Sequence, residues 1–314
     1  MFPEKLQENI DKCLKESELT HLGAAAQQLT ERYRGPARTQ FMETEGHRIA
    51  YLLTRMPATY AAIAKVFEEL VERIPALSIH SFLDLGTGPG TGLWAVKEFF
   101  PQIVSHTLLE KDAALISLGK KLSEGKGRWI QCDAEKTQVF DSHDLVLLSY
   151  ALGELKDPKE VALRAWHATE KILVMIEPGT PLGFERLRKI REILIAEGAH
   201  LVAPCPHARA CPLKQNDWCH FSARLNRTSL HRQMKGGSLG YEDEKFFYLI
   251  FSKITSVIRC KGRILRHPQK HSGYVEMTVC KEEGIERKIF SRKDKEIYKW
   301  ARKAEWGDEP ICKF

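Results

Sequence analysis

The sequence predicts an α/β fold: a mostly parallel sheet covered by helices on both faces, a helical domain before it and a small basic β-rich unit after it. Three observations carry this reading. Between residues 80 and 255, short apolar runs alternate with helix-like segments, the pattern of a buried parallel sheet. Residues 1–77 show helical periodicity without a dense strand signal. Residues 257–314 combine short strand-like runs with a surplus of Lys and Arg.

In TYAAIAKVFEELVERI (59–74), Ile63, Val66, Phe67, Leu70, Val71 and Ile74 recur at spacings of three and four. That is one apolar helix face, and Pro57 marks its start. SFLDLG (81–86), HTLLEKD (106–112), RWIQCDA (128–134), HDLVLLSYA (143–151) and KILVMIEPG (171–179) read as strands, each ending in a polar or glycine turn. GLWAVKEFF (92–100), AALISLGKKL (113–122), PKEVALRAWHATE (158–170) and FERLRKIREILIAEG (184–198) read as the helices between and after them. FFYLIFSKI (246–254) supplies a later strand. YVEMTVC and ERKIFS flank the turn-like KEEG, and a short basic helix follows. The expected domains are 1–77, 78–256 with a cysteine loop inserted at 204–221, and 257–314.

At 43% hydrophobic and 28% charged, the 314-residue chain has the composition of a globular protein rather than a disordered one. No apolar run approaches the ~20 residues needed to cross a bilayer, so no membrane partner is expected. The acidic start, MFPEKLQENIDKCLKESEL, has neither an apolar signal core nor transit-peptide composition. This points to a cytoplasmic protein, or to a mitochondrial one already processed, and a monomer is expected. The net charge of +7 is unevenly spread: residues 1–200 hold 25 basic and 28 acidic side chains, residues 201–314 hold 23 and 13. A C-terminal third of net charge +10 has the footprint of a surface that meets phosphates.

The first strand ends in DLGTGPGTG, Asp84 to Gly92. Gly86, Gly88 and Gly90 permit a tight turn and close backbone approach to a ligand, and the next helix offers its N-terminal N–H groups. The spacing is G-x-G-x-G rather than the G-x-G-x-x-G of dinucleotide oxidoreductases. Glu110 ends the second strand, where a carboxylate can accept both ribose hydroxyls. Together these resemble the class I S-adenosylmethionine methyltransferases, a Rossmann-type fold. The resemblance covers roughly residues 80–255 and implies cofactor-binding roles for Asp84, Gly86, Gly88, Gly90, Glu110 and, near the adenine, Asp133. Tyr150 would wall the pocket. Enzymes that methylate exocyclic base nitrogens resemble one another in a Pro-Pro motif after the fourth strand. Here that place reads SYALGEL (149–155), and it has no nucleophilic cysteine either. Tyr150 and Glu154 are the candidates for acid–base or positioning work, and no catalytic residue is identified.

Eight cysteines are present, and Cys205, Cys211 and Cys219 cluster in PCPHARACPLKQNDWCHF (204–221). Spacings of five and seven match neither a zinc ribbon nor a two-Cys, two-His finger. Three thiolates and a distant fourth, from Cys260 or Cys280, can hold an iron–sulfur cluster. A Cys3His zinc site using His207 or His220 remains open, as do free thiols. A radical S-adenosylmethionine mechanism is rejected, because its C-x3-C-x2-C signature is absent.

The loop resembles the signature of the methyltransferase-like small-ribosomal-subunit assembly factors of bacteria and mitochondria, relatives of mitochondrial methyltransferase-like protein seventeen. ERYRG (31–35), RMPATYAAI (55–63), DLGTGPGTGLWA (84–95), LSYALGEL (148–155), IEPGTPLGF (176–184), RILRHPQKHSGYVEMTVC (263–280) and ARKAEWGDE (301–309) carry the same resemblance. It implies that Cys205, Cys211, Cys219 and Cys280 ligate a [4Fe–4S] cluster. It also implies that the glycine loop holds S-adenosylmethionine and that the partner is ribosomal RNA of an immature small subunit. The acidic start favours a bacterial member. RCKGRILRHPQK (259–270) supports an RNA partner independently: Arg259, Lys261, Arg263, Arg266 and Lys270 stand without an acid among them. Two functions follow: an assembly factor using the fold as a docking platform, or an active ribosomal RNA methyltransferase.

Overall fold

The computed structural model describes residues 2–15, 22–34, 42–214, 216–235, 238–255 and 257–310; Cys312 lies outside them. The chain opens with helices α1 (Glu4–Lys15), α2 (Leu22–Arg34), α3 (Glu45–Thr54) and α4 (Met56–Arg73). The α3 start is a capping box in which Thr44 accepts from the His47 backbone N–H. Pro57 falls inside the first turn of α4 rather than before it, a position that needs no proline N–H. Ile63, Val66, Phe67, Leu70 and Ile74 bury the face foreseen from their spacing, Val71 stays exposed, and Tyr60 joins the buried side.

The central unit runs β1 (Ser81–Leu85), α5 (Thr91–Phe99), β2 (Ser105–Glu110), α6 (Ala113–Leu122), β3 (Arg128–Gln131), β4 (His143–Ser149), α7 (Pro158–His167), β5 (Thr169–Pro178) and α8 (Pro181–Ala196). Side-chain caps start three of its helices: Asp112 for α6, Asp157 for α7 and Thr180 for α8. Then come β6 (His200–Ala203), β7 (Phe221–Asn226), α9 (Ser229–Lys235) and β8 (Tyr241–Ser252). The sheet order is β3-β2-β1-β4-β5-β8-β6, with β7 also on β8. β1 to β5 pair in parallel, and β8 is antiparallel to β5. This is the class I methyltransferase arrangement, with one reversed strand near the edge. β1, β4 and β5 are apolar and buried on both faces, which is why they read as continuous runs.

Sequence patterning missed β6, β7 and α9 and started β8 five residues late. β6 pairs with the end of β8 (His200 opposite Ser252), and β7 pairs with its beginning (Phe221 opposite Phe246), both antiparallel. The two lie along one edge of β8 as a single interrupted strand. The interruption is the cysteine loop.

The C-terminal unit is a second sheet of β9 (Arg263–Ile264), β10 (Gln269–Lys270), β11 (Tyr274–Lys281) and β12 (Gly284–Ser291), followed by α10 (Lys295–Ala301). Its own core gathers Ile264, Val275, Met277, Val279, Phe290 and Ala301. The N-terminal helices share a separate cluster with Leu115 and Leu122 of α6. No helix among the described residues is long and apolar enough to cross a membrane.

Candidate cofactor pocket and cysteine cavity

A concave site forms at the C-terminal ends of β1, β2 and β4, where open α/β sheets bind ligands. Asp84, Gly86, Gly88, Glu110, Asp133 and Tyr150 all line it. Gly90 does not; it precedes α5 in a left-handed conformation and abuts Trp129. At Gly86, φ is 73°, and a Cβ would stand 2.8 Å from that of Ala151. Sequence reasoning passed over Gly92, where a side chain would land on the Asp84 carboxylate.

Glu110 is held by three backbone donors: Gly88 (2.9 Å), Lys111 (2.8 Å) and Asp112 (3.0 Å). Burial nevertheless raises its pKa. Thr87 donates to Asp84 at 2.7 Å, and burial pushes Asp84 up to about 7. Glu154 is also pushed to about 7 by burial, opposed by Lys111 at 3.4 Å across the pocket mouth. Burial therefore favours the protonated form of these carboxyl groups, and a cationic ligand beside them would draw their pKa values back down.

Tyr150, where a base-methylating enzyme carries its recognition motif, has a φ of 56° and is 9% exposed. A non-glycine residue there costs about 1–3 kcal/mol and persists only when its surroundings hold it. Its hydroxyl donates to Glu244 at 3.0 Å. Glu244 in turn receives Arg55 through two bonds of 3.0 and 2.9 Å. Arg55, at the α3–α4 junction, and Glu244, on β8, carry no sequence signal of their partnership. Behind them, fully buried Glu177 pairs with Arg186, and burial pushes it up to about 7.

A second cavity lies between the cysteine loop, α8 and the C-terminal sheet. Cys205, Cys211, Cys219 and Cys280 all line it, with Arg191 and Arg263. Cys260 and the two rival histidines do not; Cys260 instead donates to the Gly262 carbonyl at 2.8 Å. Burial raises the Cys205 and Cys219 thiols, the latter strongly, and the neighbouring cysteines add to the rise at both. Cys280 is pushed up to about 12 for the same reasons. Among the described residues, no group of three or more His, Cys, Asp or Glu is arranged to hold a metal ion.

The basic run divides. Arg259, Lys261 and Lys270 are exposed. Arg266 pairs with Asp217. Arg263 is a correction to the expected RNA-facing set: it is 5% exposed and spent on the protein itself. It donates to the Pro204 and Gly307 carbonyls, each at 3.0 Å, and pairs with Glu69 of α4.

The family described as "Mitochondrial small ribosomal subunit Rsm22" matches residues 45–310. The human ribosome assembly protein METTL17, mitochondrial, is 26% identical over 294 residues, covering 84% of this chain and 62% of that protein. The chain thus spans about three fifths of the human relative's length. The Saccharomyces cerevisiae ribosome assembly protein RSM22, mitochondrial, is 21% identical, covering 87% of this chain and 67% of that one. Among solved structures, the plantazolicin methyltransferase BpumL overlaps 79% of this chain and 99% of its own, at 11% identity and a TM-score of 0.46, too distant to bear on function.

Proposed function

The chain belongs to the Rsm22 family of mitochondrial small ribosomal subunit proteins, and from that premise we propose that it is an assembly factor of the small ribosomal subunit. In this reading the methyltransferase-type domain holds S-adenosylmethionine but serves as a platform, and the C-terminal unit docks on ribosomal RNA. The observation that carries the reading is the state of Tyr150: the side chain at the chemical position of the fold is buried and tied to an ion-paired carboxylate. It offers no free base or nucleophile to a methyl acceptor.

The pocket's residues fit the cofactor. Gly88 faces open space that allows close approach, Glu110 can offer its remaining lone pairs to ribose hydroxyls, and a sulfonium cation would favour ionisation of the carboxyls that line the pocket. Glu110→Ala should abolish calorimetric binding of S-adenosylmethionine while leaving the fold intact. Unchanged binding would remove the ribose role.

The cavity's donors are of the type that holds a cluster: four thiols from the loop and from β11 line it, Cys219 and Cys280 buried and Cys205 and Cys211 half-buried, and Pro206 and Pro212 stiffen the loop around them. We assign Cys205, Cys211, Cys219 and Cys280 as ligands of a structural [4Fe–4S] cluster; bound, it would supply a cross-link between loop and C-terminal sheet. Neither rival histidine lines the cavity, which weighs against a Cys3His zinc site. Anaerobically purified protein should be brown and contain about four irons; a colourless protein with one zinc would reject this.

Arg259, Lys261 and Lys270 would meet RNA phosphates, in whichever compartment holds the small subunit. Retention of a formed pocket keeps the methyltransferase reading as the second one. Mapping methylated small-subunit nucleotides with and without the protein separates the two: a site lost with the protein would establish the enzyme, and an unchanged map with stalled maturation the assembly factor.

A further inference from the structure

Three arginines line the cysteine cavity. Arg188 pairs with Glu185, and Arg263 pairs with Glu69. Arg191, on α8, is different. It is 2% exposed and makes no ion pair among the described residues. Its Nη2 donates to two carbonyls of the cysteine loop, His207 at 2.7 Å and Arg209 at 2.8 Å. Its Nε and Nη1 are buried without a hydrogen-bond partner. A guanidinium stays charged at any physiological pH, and an uncompensated buried charge is costly. Carbonyl dipoles offset part of that cost, and the remaining donors call for an anion. The groups at hand are sulfurs: Cys205, Cys211, Cys219 and Cys280 line the same cavity as Arg191.

We propose that Arg191 is the charge-balancing residue of the four-thiol cavity, a positioning residue whose Nε and Nη1 donate to cysteine sulfurs once an anionic metal–thiolate centre fills it. The inference rests on the cluster reading above. A cluster held by four thiolates is anionic when oxidised and more so when reduced. A buried cation beside it stabilises the reduced form more, so Arg191 raises the reduction potential. The same guanidinium pins residues 207 and 209, so it ties the charge in the cavity to the path of the loop.

The test uses the full chain reconstituted anaerobically with iron and sulfide, as wild type, Arg191→Lys, Arg191→Gln and Arg191→Met. The readouts are the midpoint potential and the rate of cluster loss to a chelator. Arg191→Met should move the midpoint to a more negative potential and lose the cluster at least about tenfold faster, as outer-shell substitutions at metal sites do. Arg191→Lys should restore most of the midpoint. Should the methionine variant not fold, the glutamine variant decides in its place. A brown wild type with an unchanged midpoint in the neutral variant overturns this inference alone. A wild type that takes up no iron overturns it together with the cluster assignment.

Discussion

Arg55→Met tests whether the closed chemical side of the pocket is a built feature. The Arg55 and Glu244 side chains are 13% and 8% exposed and share two bonds of 3.0 and 2.9 Å. Removing one partner of such a buried pair leaves a stranded charge and costs about 3–5 kcal/mol. With a tenth of each side chain still wetted, we predict the lower end, about 3 kcal/mol. That is a large share of the stability of a typical domain. Glu244→Leu alone should cost a similar amount, because it strands the arginine and frees the Tyr150 hydroxyl. The double variant leaves neither charge buried and should be more stable than either single variant, recovering most of the loss. Urea midpoints followed by tryptophan fluorescence measure this, with the slope checked for constancy. A loss below about 1 kcal/mol, the level of a surface pair, would refute it. So would a double variant no better than the singles.

Glu177 has a folded pKa raised from 4.5 to about 7, so its contribution to stability is complete below 4.5 and is lost as pH rises through 7. The stability gap between wild type and Glu177→Gln should therefore shift in the variant's favour as pH rises from about 5 to about 7.5; thermal midpoints across that range check it, and a constant gap would refute it. Cys219→Ser should yield protein with well under half the wild-type iron, measured by metal analysis; full iron content would remove Cys219 from the ligand set. Neutralising Arg259, Lys261 and Lys270 together should flatten the salt dependence of RNA binding by about 0.7 in log–log slope for each phosphate no longer neutralised. Arg263→Met should leave that slope alone and lower stability, because its guanidinium is turned inward.

Legibility in the sequence followed the range of the interactions. β1, β4 and β5 announced themselves because burial on both faces demands continuous apolar runs. α4 was equally clear, since one residue in three or four must meet the core. β6 escaped because four residues carry no period. β7 does alternate, buried and exposed along its six residues, but it follows the cysteine loop, and the thiols drew the reading. The pocket was legible through glycines and Glu110, whose roles depend on neighbours a few residues away or one strand across. Arg55, Glu244 and Arg191 were not, because their partners are set by tertiary contact. Arg263 shows the opposite failure. In a basic run its charge suggests a phosphate surface, and only packing reveals that Glu69 and two carbonyls consume it.

That buried arginine also bears on what the thiols hold together. Arg263 bonds the carbonyl of Pro204, the residue before Cys205, and stands directly across the sheet from Cys280. Loop and C-terminal sheet therefore meet here, joined by a guanidinium beside a cavity lined by four thiols, and the Arg266–Asp217 and Arg209–Glu282 pairs link them as well. If a cluster forms on those thiols, its loss should leave the guanidinium and these pairs to hold loop and sheet together. The Arg73–Glu309 pair at 2.5 Å gives the C-terminal unit one further tether to α4. We predict that Cys219→Ser speeds amide hydrogen exchange first in residues 204–221 and then along β11 and β12, while β1 and β4 stay protected. Faster exchange confined to the loop would mean that Arg263, these pairs and the Glu309 tether hold the basic unit unaided. Cluster loss would then report on the loop alone and could not release the proposed RNA-binding surface.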